Sequence, residues 1–360
     1  MATEKRTIAL SVKKERIAIT SLQKIIFQIR FKTTYGQEIF ITGDHPLLGD
    51  NRVENALPLQ YFNEEYWMLE LDISELPLTD ANITYHYILR NADGTISYDW
   101  GNDKIVNPSN YKTAELLIID AWNYAGYFEN SFYTEPFTQV LLKDNFTPVE
   151  LPAPRNVSHT LKVKTPLLSK GQTLCVTGSS KILGDWDTKN ALLMNKAAGD
   201  DFYTLSLNLS KETFPIAYKY GVYDVVNHQF IRFEDGNNRV LHDAGKTNRQ
   251  TVVNDGFAVL PNNTWKGAGI AIPVFSLRSE KSFGTGEFTD LTLLVDWAKL
   301  AGLKMVQILP INDTTATHTW IDSYPYAAIS AFALHPLYLN LEKLADSPDA
   351  RTRLQKLEAE

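Results

Sequence analysis

The chain's 360 residues leave room for two or three domains, and 44% hydrophobic with 21% charged residues fits an ordinary soluble globular protein. A net charge of −7, with no basic run interleaved with aromatics, argues against nucleic acid as a partner. The single cysteine, Cys175, excludes an intrachain disulfide framework. No apolar segment of signal-peptide or membrane-spanning length appears, so the expectation is a cytoplasmic protein with no membrane partner. No metal-ligand cluster, phosphate-cradling loop or Ser/His/Asp set stands out, and G-T-G-E-F (284–288) lacks a full dinucleotide fingerprint, so no metal and no cofactor are expected.

In chain order, residues 1–19 form an N-terminal extension. The stretch 20–130 then carries strand-like segments: I-I-F-Q-I-R-F (25–31), E-I-F-I-T-G (38–43), W-M-L-E-L-D-I (67–73), I-T-Y-H-Y-I-L-R (83–90) and T-A-E-L-L-I-I-D (113–120). Turn signals such as N-A-D-G and N-P-S-N separate them, which predicts an all-β sandwich of immunoglobulin-like type. A linker is placed at 131–156, where three closely spaced prolines predict a stiff, extended run.

The next segment, 157–262, repeats the first. T-L-C-V-T-G-S-S-K-I-L-G-D-W (173–186) lies over E-I-F-I-T-G-D-H-P-L-L-G-D-N (38–51). F-Y-T-L-S-L-N-L (202–209) lies over W-M-L-E-L-D-I, and I-A-Y-K-Y-G (216–221) over I-T-Y-H-Y-I. Three motifs in one order indicate a tandem duplication and a second sandwich. From 263 to 360 the pattern changes. A buried strand at 269–277, a Gly-rich loop, a helix over Asp290 to Ala301 capped by Thr289 or Asp290, and a strand at 304–310 make a βαβ unit. A charged helix is predicted over 347–359.

The two repeats resemble starch-binding domains of carbohydrate-binding module family twenty. In the second copy the resemblance rests on V-T-G-S-S-K-I-L-G-D-W (176–186), Y-K-Y (218–220) and F-E-D-G-N-N-R (233–239). It implies a glucan site built from Trp186, Lys219 and Phe233, with Asn238 as a hydroxyl partner; Phe233 stands where the family has Trp. The first copy has Asn51 for the platform Trp and His86 for the lysine, while Trp100 is matched to the second aromatic. F-K-T-T-Y-G-Q (31–37) matches the family's second-site loop, implying a role for Tyr35 with Tyr61 as partner; Trp67 is assigned to the core. The expectation is a division of labour, with copy one using Tyr35, Tyr61 and Trp100 and copy two the Trp186 site. Joined by a short linker, two weak sites would bind more tightly than either alone.

Residues 269–341 resemble the start of the 4-α-glucanotransferases, glycoside hydrolase family seventy-seven, through P-V-F-S-L-R-S, G-x-G-E-F-x-D-L, Q-I-L-P-I-N-D-T and D-S-Y-P-Y-x-x-x-S-x-F-A-L-H-P. The form D-S-Y-P-Y resembles the family's long branch, which carries two starch-binding domains in front and includes the plant cytosolic enzyme. The resemblance implies the first βα units of a (β/α)₈ barrel, whose full length is about 250 residues. It implies a substrate rim of Tyr326, Ser323, Asp322 and Asn312. It also implies retaining double displacement between two carboxyls about 5–5.5 Å apart, with a glucan acceptor preferred over water. Those carboxylates are expected beyond residue 360, so no catalytic residue is assigned within the chain, and Asp313 is not promoted to that role. An incomplete barrel is expected to leave apolar strands uncovered. The partners implied are α-1,4-glucan polysaccharide and maltooligosaccharides. The rival expectation is a glucan-anchoring module with no catalytic role.

Overall fold

The computed structural model describes residues 22–74, 81–101, 103–143, 148–149, 151, 156–260 and 265–359. The extension at 1–19, and much of the proline-rich run, lie outside them. The chain divides into two compact units, 1–264 and 265–360.

The first repeat supplies nine strands: β1 (Lys24–Arg30), β2 (Glu38–Gly43), β3 (Leu57–Pro58), β4 (Gln60–Tyr61), β5 (Tyr66–Asp72), β6 (Ile83–Arg90), β7 (Ile96–Tyr98), β8 (Ile105–Val106) and β9 (Glu115–Ala121). The second supplies eight: β10 (His159–Lys164), β11 (Gln172–Gly178), β12 (Leu192–Leu193), β13 (Tyr203–Leu207), β14 (Ile216–Asp224), β15 (Gln229–Phe233), β16 (Arg239–Leu241) and β17 (Arg249–Phe257). Between them, Phe128–Tyr133 and Pro136–Leu141 form short helical stretches at the start of the segment expected to run extended.

The two repeats are not separate sandwiches. Their inner sheets join into one seven-stranded sheet, in the order β13-β10-β17-β9-β1-β5-β4. The junction is a parallel pairing of β9 with β17, from Glu115 opposite Arg249 to Asp120 opposite Asn254. Each repeat adds a five-stranded outer sheet: β2, β3, β6, β7 and β8 in the first, and β11, β12, β14, β15 and β16 in the second.

Side-chain parity shows where the outer sheets lie. Leu116 and Ile118 of β9 pack in the first repeat's core with Phe27, Ile29, Tyr85 and Tyr87. Leu117 and Ile119, on the other face of the same strand, pack in the second repeat's core with Leu161, Val253, Tyr218 and Tyr220. Val252 belongs to the first core and Val253 to the second. Alternate residues of a strand point to opposite faces, so the outer sheets cover opposite faces of the shared sheet.

Equivalent aspartates repeat this logic. Asp120 accepts from the Tyr85 and Tyr87 hydroxyls at 2.9 and 2.8 Å, and Asp255 from those of Tyr218 and Tyr220 at 2.7 and 2.8 Å. Each also grips the other repeat: the Asn254 amide donates to Asp120, and Arg30 lies 3.3 Å from Asp255. Desolvation pushes the Asp255 carboxyl up, but the Arg239 and Arg30 guanidiniums outweigh it and hold it below the usual range.

The second unit holds β18 (Gly269–Ile272), α1 (Asp290–Leu300), β19 (Met305–Ile308), α2 (Leu341–Leu344) and α3 (Pro348–Ala359). Strands β18 and β19 pair in parallel across α1, the expected βαβ unit. The strand predicted over 269–277 ends at Ile272, because Pro273 cannot donate to a ladder and a 3-10 turn follows. Thr289 occupies the N-cap position of α1 without a side-chain bond. Asp290 instead accepts from the Glu287 backbone N–H at 2.8 Å and the Ser279 hydroxyl at 2.5 Å. Among the described residues of this unit, Leu300, Trp320 and Phe332 are strongly exposed.

Candidate functional site

In the second repeat, Trp186 ends a turn whose backbone is left-handed at three consecutive residues: Gly184 (φ 81°), Asp185 (φ 49°) and Trp186 (φ 64°). The first repeat has the same turn, with Gly49 (84°), Asp50 (55°) and Asn51 (58°). A threonine ties each turn down: Thr177 donates to the Leu183 carbonyl and Thr42 to that of Leu48, both at 2.9 Å. Only in the second repeat does the turn present an indole, and it is partly exposed.

Lys219 and Gly221 alternate on β14 with the buried Tyr218, Tyr220 and Val222, so they face outward. Phe233 pairs with Gly221 and therefore shares that outer face. The Lys219 ammonium donates to the Gly236 carbonyl at 2.6 Å, inside the F-E-D-G-N-N-R loop. Asn238, farther along that loop, is exposed. Strand β15 packs against the Thr188–Asn190 turn that follows Trp186.

Sequence parity missed one aromatic. Phe230 and Phe233 are three apart and should face opposite ways, but the ladder runs from Val222–Arg232 to Tyr223–Phe230 and skips Ile231. This bulge turns Phe230 onto the same face as Phe233, with ring centroids 4.7 Å apart. Gly221 makes room for it: a Cβ there would lie 2.5 Å from the Phe230 ring. Beneath the pair, Arg239 forms a bidentate ion pair with the buried Glu234, fixing the loop from inside.

In the first repeat the ladder corrects one assignment. Ile88, the equivalent of Gly221, pairs with Tyr98, and the Asp99 N–H bonds Tyr87 as the Glu234 N–H bonds Tyr220. Tyr98, not Trp100, thus stands where Phe233 stands, with its ring 6.3 Å from His86. Burial lowers the His86 pKa, and Lys104 adds to this. Trp100 occupies the position of Asp235. Tyr35 is fully exposed on its loop, and Tyr61 pairs with Trp67 across β4 and β5 with ring centroids 5.7 Å apart. Trp67 is buried, and its indole N–H donates to Thr33 at 3.2 Å, linking the Tyr35 loop to Tyr61.

In the second unit, Tyr326 is 60% exposed and stacks obliquely on Tyr324 at 5.6 Å. Asp322 accepts from the Thr317 and His318 backbone N–H groups and the Thr317 hydroxyl. Desolvation, the largest single contribution, pushes its carboxyl up, but these bonds together outweigh it, hold it below the usual range and commit it to the loop. Ser323 donates to the Trp320 carbonyl at 2.7 Å, and Asn312 to that of Ala331 at 2.9 Å. These contacts shape one polar loop region around the exposed tyrosines. No group of three or more metal-ligating side chains occurs among the described residues, and none of their helices is long and apolar enough to cross a membrane.

Comparison with known families matches residues 22–115 and 156–253 to the starch binding domain, together more than half of the chain, and residues 272–360 to the 4-alpha-glucanotransferase family. The chain is 34% identical over 357 residues to 4-alpha-glucanotransferase DPE2 of Oryza sativa subsp. japonica, covering 94% of this chain and 36% of that protein. It is 41% identical over 93 residues to 4-alpha-glucanotransferase of Chlamydia trachomatis serovar D, covering 25% of this chain and 17% of that protein. Among solved structures, the family 20 module of a maltotetraose-forming amylase from Pseudomonas saccharophila aligns with 26% of this chain and 97% of its own, at 12% identity and a TM-score of 0.23, too partial to carry an argument. The chain therefore belongs to the starch-binding domain family, which it carries in two copies ahead of a 4-alpha-glucanotransferase segment.

Proposed function

We propose that this chain anchors α-1,4-glucan and maltooligosaccharides for a cytoplasmic 4-α-glucanotransferase. The observation that carries the reading is the outward groove of the second repeat. Lys219 and the Phe230–Phe233 pair share the outer face of β14 and β15, and the partly exposed Trp186 in its left-handed turn is the platform this reading adds to them. Aromatic faces suit the apolar faces of sugars, and the cation and the Asn238 amide suit their hydroxyl edges. In the first repeat, Tyr35 and Tyr61 form the second contact, joined through Trp67 and Thr33.

The segment from 265 onward begins the (β/α)₈ barrel, with Tyr326 on its substrate rim and Ser323, Asp322 and Asn312 supporting the loops around it. The whole protein transfers glucan segments by retaining double displacement, using carboxylates outside this chain. The parallel β18–α1–β19 unit supports the barrel reading, and the single buried Cys175, whose thiol burial pushes up to about 12, fits a reducing compartment.

The test is calorimetry of the 360-residue chain with β-cyclodextrin, beside co-sedimentation with glycogen. Trp186→Ala is expected to weaken β-cyclodextrin binding at least tenfold, equivalent to about 1.4 kcal/mol. Failure of the unmutated chain to bind either glucan would sink the anchoring role.

A further inference from the structure

Trp100 has no place in the groove pattern, yet it is held in position and half-exposed. Its backbone N–H donates to the Asn123 backbone carbonyl, and the Asn123 side-chain amide donates back to the Trp100 backbone carbonyl, both at 2.9 Å. Asn123 is itself locked to Asn130, its N–H donates to Asp99 at 2.7 Å, and it is buried. These bonds fix the backbone that carries the half-exposed indole.

What Trp100 borders is the seam between the repeats. Strands β9 and β17 run parallel, so the segments that follow them leave the shared sheet at the same end. The crevice between them consists of two adjoining cavities, of about 400 and 280 Å³, which share Asp103, Asn123 and Lys164. The larger alone falls within the range of small-molecule pockets, roughly 300–1,000 Å³. Trp100 lines the smaller and Tyr127 the larger, and these two rings are 51% and 43% exposed. Behind them Lys164 is buried, ion-paired with Asp103, its ammonium 4.5 Å from the Phe257 ring and 5.0 Å from that of Tyr133.

Two buried polar atoms at this seam, Tyr133 Oη and Asn254 Oδ1, have no hydrogen-bond partner among the described residues, and Asp103 Oδ1 has only the Lys104 ammonium, 3.5 Å away. Buried polar groups are ordinarily satisfied, so an exception asks for an explanation. Three pairs neutralise most of the charge here, Lys164 with Asp103, Lys104 with Asp99 and Arg239 with Asp255, and Glu129 and Asp201 also line the cavities. That set carries no surplus of positive charge that would select an anion. Aromatic platforms at the mouth and unmet polar atoms within suit an uncharged, polyhydroxylated ligand.

We propose that the crevice at the β9–β17 seam is a third glucan site, composed by both repeats, in which Trp100 and Tyr127 stack sugar rings of a short maltooligosaccharide. It is distinct from the grooves on the outer sheets, and its ligand class rests on the glucan-anchoring reading above.

The test uses the 360-residue chain and maltotriose. A variant with Trp186, Tyr35 and Tyr61 all changed to Ala disables the other two contacts of the first unit; Phe230, Phe233 and Tyr326 stay in place, so the Trp100 substitutions decide where a remaining site lies. This variant is expected to retain one maltotriose site per chain by calorimetry while losing β-cyclodextrin, a closed ring with no end to insert. Adding Trp100→Ala should weaken that site at least tenfold, and Trp100→Phe in its place should keep it within about threefold, which a folding defect would not do. If the triple variant binds no maltotriose while the unmutated chain does, or if Trp100→Ala changes nothing, the seam site is wrong and the anchoring reading stands. If the unmutated chain binds no glucan at all, both fall.

Discussion

Trp186 sits at a backbone angle that bulky side chains avoid. A non-glycine residue held in the left-handed region costs of order 1–3 kcal/mol, and asparagine tolerates it best among the larger residues. The first repeat has that easier residue, Asn51, in an otherwise identical turn. The second repeat therefore keeps an indole against its local backbone preference, which is the pattern of a residue retained for contact with a ligand. Trp186→Asn is expected to weaken β-cyclodextrin binding at least tenfold while the urea midpoint stays level or rises. A structural pillar would behave otherwise, since deleting a well-packed Trp costs about 3–5 kcal/mol, and a midpoint drop of that size would assign Trp186 to the core. At this scale the sequence was legible where a motif fixes spacing, as in L-G-D-W. It misled where residue type drew the match: Trp100 resembles Phe233 in kind, but the ladder puts Tyr98 opposite Ile88. Phe230 carried no signal at all, because the bulge at Ile231 reverses the parity that sequence reading depends on.

The strands were legible as strands, and their partners were not. E-L-L-I-I-D and the T-V-V of β17 are unbroken apolar runs rather than alternating ones, and strands with that composition are covered on both faces. Read as half-exposed sandwich strands they look merely rich in apolar residues; the pairing of β9 with β17 supplies the second cover. Leu117 belongs by chain position to the first repeat and by packing to the core of the second. Leu117→Ala should cost about 2–5 kcal/mol, and the loss should appear in both repeats together. Hydrogen exchange measures this directly: amides of β11 and β14 in the second repeat are expected to lose protection along with those of β1 and β5. Faster exchange confined to the first repeat would mean that the shared sheet does not couple them. In the second unit the βαβ order was legible, but the first strand was drawn too long, since an apolar run continues through Pro273 whereas a ladder cannot.

At the scale of the whole first unit, the joined sheet changes what two sugar contacts can do. A flexible linker would let both repeats engage one glucan chain and gain by effective concentration. Here the repeats are fixed to each other by strand pairing, with Asp120 and Asp255 each holding a side chain of the other repeat. Tyr61, opposite Trp67, lies on the face of the shared sheet that the first outer sheet covers. Lys219 and Phe233 look outward from the second outer sheet, which covers the other face. Packed sheets stand about 10 Å apart, so sheet thickness separates contacts that point to opposite sides. Such a body suits two chains better than one. The 360-residue chain is expected to raise light scattering of a glycogen suspension at intermediate protein ratios, and excess protein should disperse it as each contact saturates separately. Trp186→Ala should abolish the scattering while co-sedimentation through Tyr35 and Tyr61 persists. If scattering stays flat while long linear glucan binds tenfold or more tighter than maltoheptaose, a single chain reaches both contacts, and the rigid placement on opposite faces does not govern binding.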